Sequence, residues 1–457
     1  MYGRIRRIHL VGIGGSGMSG IAEVLLNLGY EVSGSDTKES EVVNRLRTLG
    51  ARIAAKHDAA NVENAEVVVA SNAISETNPE LVRAHERGIP VIPRAEMLAE
   101  LMRIKYSVAV AGAHGKTTTT SMVGEILAHG GLDPTVIVGG RLKALGANAR
   151  LGQGLFLVAE ADESDGSFLF LSPTIAVITN IDEEHLDYYG SIEKIREAFT
   201  TFVNRVPFYG SIVLPADEPN AASLRTKAKR RTITYALGSA ADVEGRDLVV
   251  GPGGVRFSLR VHGRDEGTIQ LKVTGIHNAR NALAAIAAGW ELGVPIAAIR
   301  DALHDFTGVG RRLELRGSAQ GAPWIDDYAH HPTEIEAAVA ALRATYGRRI
   351  VAVFQPHRYT RTMALLERFA GCFAGVAELV LLPIYPAGEK PIRGVTSDAL
   401  GERVAKHGGT RVHRVADHAA AAAAVRALLG EKDLLLTIGA GDVYRVGELV
   451  RTKEHAS

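Results

Sequence analysis

A glycine-rich loop between an apolar run and a threonine-rich segment is the first feature whose residues could do chemistry. The loop contains Gly112, Ala113, His114, Gly115, Lys116, Thr117 and Thr118. Glycines let backbone N–H groups and a helix N-terminus face an anion, and lysine adds a positive charge for the outer phosphates of a nucleotide. The pattern therefore predicts an ATP site in which the Thr117 hydroxyl binds Mg2+. Val110 stands where the strict phosphate-loop pattern has glycine, and an ordinary helix N-cap by Thr117 or Thr118 is the alternative.

Two later apolar runs are followed by polar residues that could hold the metal. Glu160 follows one of these runs, and His185 lies shortly after the other. Because the carboxyl ends of parallel strands meet at one edge of a sheet, Glu160 would join Thr117 on a first Mg2+, and His185 is a candidate for a second ion. Alone, the acidic cluster 160–165 is typical of a solvated loop, and a single histidine is more often structural. Beside the glycine-rich loop, they predict ATP with Mg2+, as two ions.

A second glycine turn, at 12–17, matches the pattern G-x-G-x-x-G after an apolar run. With Asp36 after the next run, it is typical of the dinucleotide site of NAD enzymes, which is the rival hypothesis. The pattern selects a diphosphate at a helix N-terminus, so a UDP-sugar fits equally well, and a tight turn without a ligand is a further alternative. A dehydrogenase has no use for a second phosphate loop, whereas an enzyme that joins ATP to a nucleotide-linked substrate needs both.

The elements around these loops follow a simple order. Short aliphatic runs alternate with alanine- and leucine-rich helical patterns, as parallel βαβ units require. We predict an α/β protein of three domains, since 457 residues exceed a single core. The expected domains are Rossmann-like over 1–104, a phosphate-loop ATPase with a mainly parallel sheet over 105–311, and Rossmann-like again over 312–457. The segment 233–273 predicts antiparallel strands attached to the central domain.

The composition argues against a nucleic-acid or membrane partner. Lys plus Arg number 52 against 51 Asp plus Glu, without a long run of one sign. No apolar stretch predicts a membrane span, and Arg4, Arg6 and Arg7 lead into a strand rather than into the core of a secretory signal. The single cysteine, Cys372, fits a buried apolar position and a reducing compartment. We expect a cytoplasmic protein, monomeric or homodimeric.

With both glycine loops, the chain resembles the Mur ligase family, the ATP-dependent amide-forming enzymes of peptidoglycan synthesis. The similar segments are 9–22, 112–120, 159–169, 179–190, 275–285, 308–314, 326–334, 355–361 and 439–442. The resemblance is strongest to the alanine-adding branch. It implies that ATP activates the lactyl carboxylate of UDP-N-acetylmuramate as an acyl phosphate, which L-alanine then attacks. The related ligases that attach a recycled peptide to the same sugar nucleotide are the nearest alternative.

The resemblance also implies roles for individual residues. Lys116 would bind the terminal phosphates, and Thr117, Glu160 and His185 would hold the metal. Around the nucleotide it places Gly112, Ala113, His114, Gly115, Thr118, Asn278, Asn281, Arg312 and Asp326, with Asp327 beside them. Around the UDP-sugar and its reacting group it places Gly14, Gly15, Ser16, Gly17, Met18, Ser71, Asn72, Ala73, His185 and His330. Around the incoming amino acid it places His331, His357, Arg358 and Arg361, with His331 or His357 as the base for the amine.

Two positions depart from the family pattern. Ala113 stands where the family usually has threonine, which removes one hydroxyl from the phosphate loop. Phe199 stands where relatives that add later residues have a carbamylated lysine. The second departure favours the alanine-adding branch and its peptide-recycling relative, and it leaves a second Mg2+ more dependent on substrate oxygens.

Overall fold

The computed structural model describes residues 5–71, 74–142, 147–251 and 253–451. They form three sheets that are mainly parallel and are flanked by helices. The predicted three-domain α/β class is therefore confirmed. By contacts between residues, the chain divides into two compact units. Unit 1 comprises Met1–Asp247, Phe257–Gln270 and Ala279–Val309, and unit 2 comprises Leu248–Arg256, Leu271–Asn278 and Gly310–Ser457.

The first sheet has five parallel strands in a doubly wound order. Its strands are β1 (Arg7–Val11), β2 (Glu31–Ser35), β3 (Arg52–Ala54), β4 (Val67–Ala70) and β5 (Val91–Pro93), in the order β3-β2-β1-β4-β5. Its helices are α1 (Ser16–Asn27), α2 (Glu41–Thr48), α3 (Pro79–Glu86) and α4 (Arg94–Ile104). Side-chain caps fix two of the helix starts, by Ser40 on α2 and by Asn78 on α3.

The central sheet has ten strands. They are β6 (Tyr106–Ala111), β7 (Thr135–Leu142), β8 (Ala147–Arg150), β9 (Phe156–Glu160), β10 (Ile175–Ile178), β11 (Ser211–Pro215), β12 (Arg231–Leu237), β13 (Val243–Gly251), β14 (Gly254–Val261) and β15 (Arg264–Leu271). Their order is β15-β14-β13-β12-β11-β10-β6-β9-β7-β8. The helices are α5 (Lys116–His129), α6 (Leu186–Tyr189), α7 (Ile192–Val203), α8 (Pro219–Ala222), α9 (Ile276–Glu291) and α10 (Ile296–Asp305), and short 3-10 turns cover Ala59–Val62, Ser167–Phe170 and Ser223–Thr226.

The antiparallel strands predicted for 233–273 begin later than expected. Strand β12 pairs in parallel with both β11 and β13, so the prediction is wrong for its first part. The chain returns between β12 and β13 through a short loop, in which the Asp242 carboxylate accepts from the backbone N–H and the hydroxyl of Thr234. Within this segment, β13, β14 and β15 follow one another through short connections of two residues, which require antiparallel neighbours.

The third sheet has six strands and lies in unit 2. The strands are β16 (Glu314–Ala319), β17 (Ala322–Asp327), β18 (Ile350–Phe354), β19 (Glu378–Leu381), β20 (Arg411–Arg414) and β21 (Leu434–Ile438), in the order β16-β17-β21-β18-β19-β20. Only β16 pairs antiparallel. The helices are α11 (Pro332–Tyr346), α12 (Tyr359–Ala364), α13 (Leu366–Gly371), α14 (Ser397–His407), α15 (His418–Leu428) and α16 (Tyr444–Val450).

One apolar core runs through the first two sheets. Leu10 and Ile21 from the first domain belong to the same buried cluster as Ala109 and Phe168 from the central domain. Unit 1 therefore holds both glycine loops on a common, close-packed support. Within the ranges described above, no helix is both long and apolar enough to cross a bilayer. Cys372 is buried, as predicted, and burial raises the pKa of its thiol.

A buried carboxylate ties helix α3 to the first sheet. Glu80 is fully buried and accepts hydrogen bonds from Ser35 Oγ and Asn61 Nδ2, both at 2.6 Å. His9 Nε2 lies 3.5 Å from the same carboxylate. Burial alone would raise the pKa of Glu80, but the hydrogen bonds from His9, Ser35 and Asn61 outweigh it and lower this pKa to about 2.

The same carboxylate supports the first glycine turn. The backbone oxygen of Ser35 accepts from the N–H groups of Gly12 (2.9 Å) and Ile13 (3.1 Å). Glu80 accepts a hydrogen bond from the Ser35 side chain, so it fixes the residue whose carbonyl binds the turn.

We expect Glu80→Gln to destabilise the fold by about 1–3 kcal/mol at neutral pH, because a buried charged hydrogen-bond acceptor is lost. The pKa of Glu80 is lower in the folded protein than the ordinary 4.5, so its stabilisation is present above about pH 4.5 and is lost as the pH falls towards 2. Urea unfolding followed by circular dichroism should therefore show a difference from wild type that is full at pH 7 and shrinks below pH 4.

The matched control is Glu31→Gln, at an exposed position of the same sheet, which should change stability little. Equal stability of wild type and Glu80→Gln at pH 7 would contradict this role of the carboxylate.

Candidate active site

The phosphate loop joins strand β6 to helix α5 and depends on two glycines with positive φ. Gly112 has φ +141° and Gly115 has φ +81°, values that side-chain-bearing residues rarely adopt. A Cβ on Gly112 would collide with Thr179 and Asn180, and one on Gly115 would collide with Asn281. Helix α5 then begins at Lys116, as the strand-to-helix prediction requires.

Residues after strand β10 clamp this loop. The His114 N–H donates to Asn180 Oδ1 (2.8 Å), and the His114 carbonyl accepts from Asn180 Nδ2 (3.0 Å) and from Thr179 Oγ1 (2.6 Å). Tyr235, which is buried, donates through its hydroxyl to the carbonyls of Ile178 and Thr179. The segment 179–180 is therefore the support of the phosphate loop, a role that its sequence alone did not indicate.

Lys116 is held inside the loop by three oxygen atoms. Its Nζ donates to the carbonyls of Gly112 (2.6 Å) and Ala113 (3.1 Å) and to Glu163 Oε1 (2.8 Å). Removal from water by itself lowers the pKa of Lys116, but nearby carboxylates, Glu163 first, outweigh this effect and raise it. The lysine is a fixed positive charge at the place where terminal phosphates would lie.

A carboxylate and histidine cluster lies beside this lysine. Glu163, Glu184 and His185 each offer one ligand atom, and these atoms lie within 4.8 Å of one another. Glu163 Oε2 is buried and has no hydrogen-bond partner among the described residues. Burial raises the pKa of Glu163 to about 7, and the Lys116 ammonium opposes that rise. Oxygen donors around a buried, unpartnered carboxylate oxygen suit a divalent cation.

The predicted metal ligands lie at the expected strand ends. Glu160 ends β9 and pairs with Val110 of the neighbouring strand β6, while Thr117 lies in the first turn of α5. His185 follows β10 and has φ +57°, a left-handed conformation. Sequence reasoning missed Glu163 and Glu184 as candidate ligands. Their nearness to Glu160 and His185 was the available signal, but only folding shows which carboxylates of an acidic loop point inward.

The first glycine turn is closed by its own acidic residue. Asp36 Oδ2 accepts from the Gly14 N–H (2.9 Å), and Oδ1 accepts from the Lys38 N–H (2.9 Å). A Cβ on Gly14 would lie 2.8 Å from Asp36 Oδ2. Both carboxylate oxygens thus bond the protein backbone, which disfavours the NAD hypothesis, because that hypothesis needs Asp36 to hold a ribose.

The other predicted contacts of the sugar nucleotide are distributed around this turn. Gly15 precedes α1 as its N-cap, and Ser16 and Gly17 begin the helix. Met18 is buried in the core, so its side chain supports the turn rather than lining a surface. Ser71 follows β4 at the same edge of the sheet, where its carbonyl accepts from the Ile74 N–H. Asn72 and Ala73 lie outside the described residues.

The segment 277–281, which contains the predicted adenine contacts Asn278 and Asn281, is divided between the two units. Asn278 belongs to unit 2, is buried, and donates through Nδ2 to the carbonyl of Thr274 (2.7 Å). Asn281 belongs to unit 1 and lies against Gly115 of the phosphate loop. The contact of both side chains with the adenine stays a prediction.

In unit 2, an arginine next to the predicted one organises the sheet edge. Arg311 donates to Asp326 Oδ2 (2.8 Å) and to the carbonyls of Gly439 (2.6 Å) and Gly441 (2.9 Å). Asp326 is fully buried, and its other oxygen accepts from Thr437 Oγ1 (2.6 Å). Asp326 therefore positions Arg311 and the turn 439–442, and we assign it this supporting role.

Arg312 and Asp327, the residues next to Arg311 and Asp326, have different surroundings. Arg312 lies 3.3 Å from Glu334 and packs its guanidinium over Tyr328. Asp327 accepts from the N–H groups of Leu313 and Ala329, both at 2.7 Å. Burial raises the pKa of Asp327 to about 6, against the opposing charge of Arg312.

Two of the predicted amino-acid-binding residues, His357 and Arg361, come together with His330 after β17 and β18. The rings of His330 and His357 are 6.2 Å apart, and Arg361 Nη1 lies 3.4 Å from His357 Nδ1. His357 stacks on Tyr385 with ring centroids 5.4 Å apart. Burial, with positive neighbours such as Arg361, lowers the pKa of His330 to about 3 and that of His357 to about 4. Both imidazoles are neutral at physiological pH.

His331 and Arg358 occupy special backbone positions beside these three residues. His331 is buried at the start of α11, where its N–H donates to Glu334 Oε2. Arg358 precedes α12 with φ +71°, a left-handed value for a residue with a side chain. Arg358 adds a second positive charge that lowers the pKa of His357.

Phe199 belongs to the core rather than to the site. It is fully buried, with its ring centroid 5.1 Å from that of Phe168. A metal-bridging group cannot come from this position in the present chain.

Comparisons with known proteins agree along the whole chain. Three descriptions of one family match consecutive parts: Mur ligase family, catalytic domain, over 7–106; Mur ligase middle domain over 110–289; and Mur ligase, glutamate ligase domain, over 311–441. The UDP-N-acetylmuramate–L-alanine ligase of Geobacter sp. (strain M21) is 55% identical over 456 residues, which are 99% of each chain.

Solved structures give the same picture. The UDP-N-acetylmuramate-alanine ligase of Thermotoga maritima superposes with a TM-score of 0.81 at 29% identity, over 97% of both chains. A murein peptide ligase from Psychrobacter arcticus superposes with a TM-score of 0.70 at 23% identity, over 97% of this chain and 98% of that one. At that identity the second likeness shows a shared fold only.

We expect Asn180→Ala to weaken ATP binding about 10- to 30-fold, because two hydrogen bonds that shape the phosphate loop are lost at about 1 kcal/mol each. Asn180→Asp keeps the acceptor for the His114 N–H and should fall between wild type and the alanine variant. Titration with a fluorescent ATP analogue measures the effect. Asn204→Ala is the control, since this amide also bonds backbone carbonyls but on α7 and its flank. Unchanged affinity in Asn180→Ala would mean that the loop keeps its shape without the clamp.

Proposed function

The chain belongs to the Mur ligase family, and from this premise we propose that it joins L-alanine to the lactyl carboxylate of UDP-N-acetylmuramate through an acyl phosphate. It is an ATP-dependent, amide-forming ligase of peptidoglycan precursor synthesis. The domain expected to bind the UDP-sugar is 1–104, the ATP domain is 105–311, and the domain for the amino acid is 312–457. We place the reaction in the cytoplasm, where ATP is available.

The proposal rests chiefly on one observation in unit 1. A phosphate loop with a fixed ammonium lies beside a cluster of metal-binding type, and a second glycine turn stands on the same apolar core. One compact unit can thus present two anion sites with different chemistry. A ligase that phosphorylates a nucleotide-linked carboxylate needs this combination.

The choice of L-alanine over a recycled peptide rests on similarity to relatives. Ligases named for L-alanine are 50–55% identical to the chain over nearly its full length. The chemistry of the two reactions is the same, so the site geometry alone favours neither.

The first step transfers the γ-phosphoryl group of ATP to the carboxylate. A free carboxylate is a poor acylating agent, and the acyl phosphate supplies a leaving group. Lys116 would stabilise the charge on the transferred group, as fixed cations do in phosphoryl transfer. In the structure its ammonium bonds Glu163 and two loop carbonyls, so an arriving phosphate competes with partners that already hold the lysine in place.

The residues that would hold Mg2+ are Thr117, Glu160 and His185, and we add Glu163 and Glu184. Glu163 and Glu184 fit because they supply oxygen donors next to His185. A modified lysine is not available as a further ligand, because the chain has Phe199 at that position and buries it in the core. When bound, the ion neutralises negative charge on the phosphates. We propose two ions.

The second step is attack of the amine on the acyl phosphate. L-alanine enters as an ammonium and must lose a proton, for which His357 or His331 is the proposed acceptor. Burial and the neighbouring arginines keep His357 neutral at physiological pH, but its low pKa, about 4, makes it a weak base in this arrangement. Arg358 and Arg361 would pair with the alanine carboxylate, since guanidinium matches carboxylate geometry.

Phosphate release tests the function directly. With Mg2+ present, the protein should release phosphate from ATP only when both UDP-N-acetylmuramate and L-alanine are added, and mass spectrometry should find the amide product. Glycine and L-serine should be poorer substrates than L-alanine. The difference should be modest, because a pocket discriminates one methyl group or one hydroxyl only weakly. Release that depends on a muropeptide instead of L-alanine would assign the chain to peptide recycling. Release without UDP-N-acetylmuramate would overturn the proposed substrate.

Lys116→Ala should reduce turnover by about a thousandfold or more, because a fixed charge on the phosphoryl group is removed. Binding of UDP-N-acetylmuramate, measured by calorimetry without ATP, should stay within about threefold of wild type, since among the described residues Lys116 donates to the phosphate loop and Glu163. Lys194→Ala, at an exposed site on α7, is the control. An equal loss of turnover and of UDP-N-acetylmuramate binding in Lys116→Ala would show that the lysine is structural.

A further inference from the structure

Arg94 lies between the first glycine turn and the acidic loop of the central domain. It is the first residue of α4, directly after β5. Its guanidinium packs against Gly17, and its Nη2 lies 3.4 Å from Asp162 Oδ2. All three residues belong to unit 1. The Arg94 side chain therefore reaches from the N-terminus of α1 to the acidic loop that follows Glu160.

The third glycine of the turn makes room for this arginine. A Cβ on Gly17 would lie 2.5 Å from Arg94 Nη1, 3.1 Å from Cζ and 3.2 Å from Cδ. In the general dinucleotide pattern, the third glycine allows close packing of helix and strand. Here the side chain that occupies the space left by the glycine is a guanidinium, so the turn is built around a positive charge.

The start of α1 favours an anion at this place. Its first turn contains no acidic residue, and the N-cap Gly15 offers no side chain to bond the first N–H groups. The helix dipole adds partial positive charge there. Arg94 adds a full charge next to Gly17, while the Asp36 carboxylate is directed at the backbone N–H groups of Gly14 and Lys38.

Asp162 holds the arginine without saturating it. The contact of 3.4 Å is longer than a strong charge-assisted hydrogen bond, and it uses one of the five N–H donors of the guanidinium. Asp162 is its only ion-pair partner in the part of the chain that the structure describes. The other oxygen of Asp162 accepts from the Ser164 N–H (3.1 Å), which fixes the carboxylate on its loop.

We propose that Arg94 binds the diphosphate of the sugar nucleotide at the first glycine turn, and that Asp162 is the positioning residue that keeps its guanidinium there. The assignment rests on the proposed function for the identity of the ligand. A planar guanidinium can bond two phosphate oxygens at once in a fixed geometry, which the point charge of a lysine does not impose.

Calorimetry without ATP tests the assignment on the full chain. Arg94→Ala should weaken binding of UDP-N-acetylmuramate about 10- to 100-fold, as expected for loss of a bidentate charged contact, and Arg94→Lys should recover part of the loss. Arg52→Ala, an exposed arginine of the same domain, should bind as wild type does. Binding of an ATP analogue should be unchanged in all three variants. Affinity of Arg94→Ala within about twofold of wild type would overturn the assignment.

UDP serves as a second probe, because it has the diphosphate but lacks the sugar and its carboxylate. Arg94→Ala should weaken UDP binding by a similar factor. A defect confined to UDP-N-acetylmuramate would place Arg94 on the lactyl carboxylate and overturn the diphosphate assignment. Failure of the wild-type protein to bind either ligand would overturn the proposed function itself, whereas equal binding by wild type and Arg94→Ala overturns this assignment alone.

A double-mutant cycle tests the part played by Gly17. Gly17→Ala should displace the guanidinium and weaken binding by itself, but should have little further effect in the Arg94→Ala background, because both changes remove one interaction. Additive effects would show that Gly17 acts independently of Arg94 and would contradict the proposed reason for this glycine.

Discussion

The ammonium of Lys116 is the charge around which the central domain is arranged. It needs oxygen partners because it is largely removed from water, and it finds them in Glu163 and in the carbonyls of Gly112 and Ala113. Those carbonyls face the lysine only because the loop takes left-handed glycine conformations. The loop keeps that shape because Thr179 and Asn180 hold His114 from the neighbouring strand. The shape of the proposed phosphate site thus follows from satisfying one buried charge.

Parallel strand order explains why the site has many contributors. Strands β9, β6 and β10 are neighbours in the central sheet, and each ends at the same edge. The residues that follow them therefore meet, although they are about 20 to 70 positions apart in the chain. The third sheet has the same arrangement, with β17, β21 and β18 parallel and adjacent. The segments that follow β17 and β18 bring the ring centroids of His330 and His357 to 6.2 Å from each other.

The partners of two acidic residues, Asp36 and Asp326, explain roles that the motifs alone leave open. Asp36 accepts hydrogen bonds from the backbone of the first turn, so both its carboxylate oxygens are directed at N–H groups of the protein. Asp326 is used in the same way by Arg311 and Thr437. In both cases a carboxylate that a motif suggests for ligand binding serves the backbone geometry. An acidic residue in a glycine-rich motif can satisfy N–H groups or arginines as well as ligands, and only its partners distinguish these uses.

The sequence by itself determined the α/β class, the strand-to-helix position of both glycine loops, and Glu160 and His185 at strand ends, because apolar periodicity and glycine spacing are local properties. It also excluded a metal ligand at position 199, since phenylalanine has no donor atom. Only the tertiary structure decided that Glu163 and Glu184 face His185, that Arg94 occupies the space left by Gly17, and that β12 runs parallel to β13. These outcomes depend on contacts between segments far apart in the chain. The direction of a side chain in a loop is set by which distant group satisfies its charge, and no local pattern contains that information.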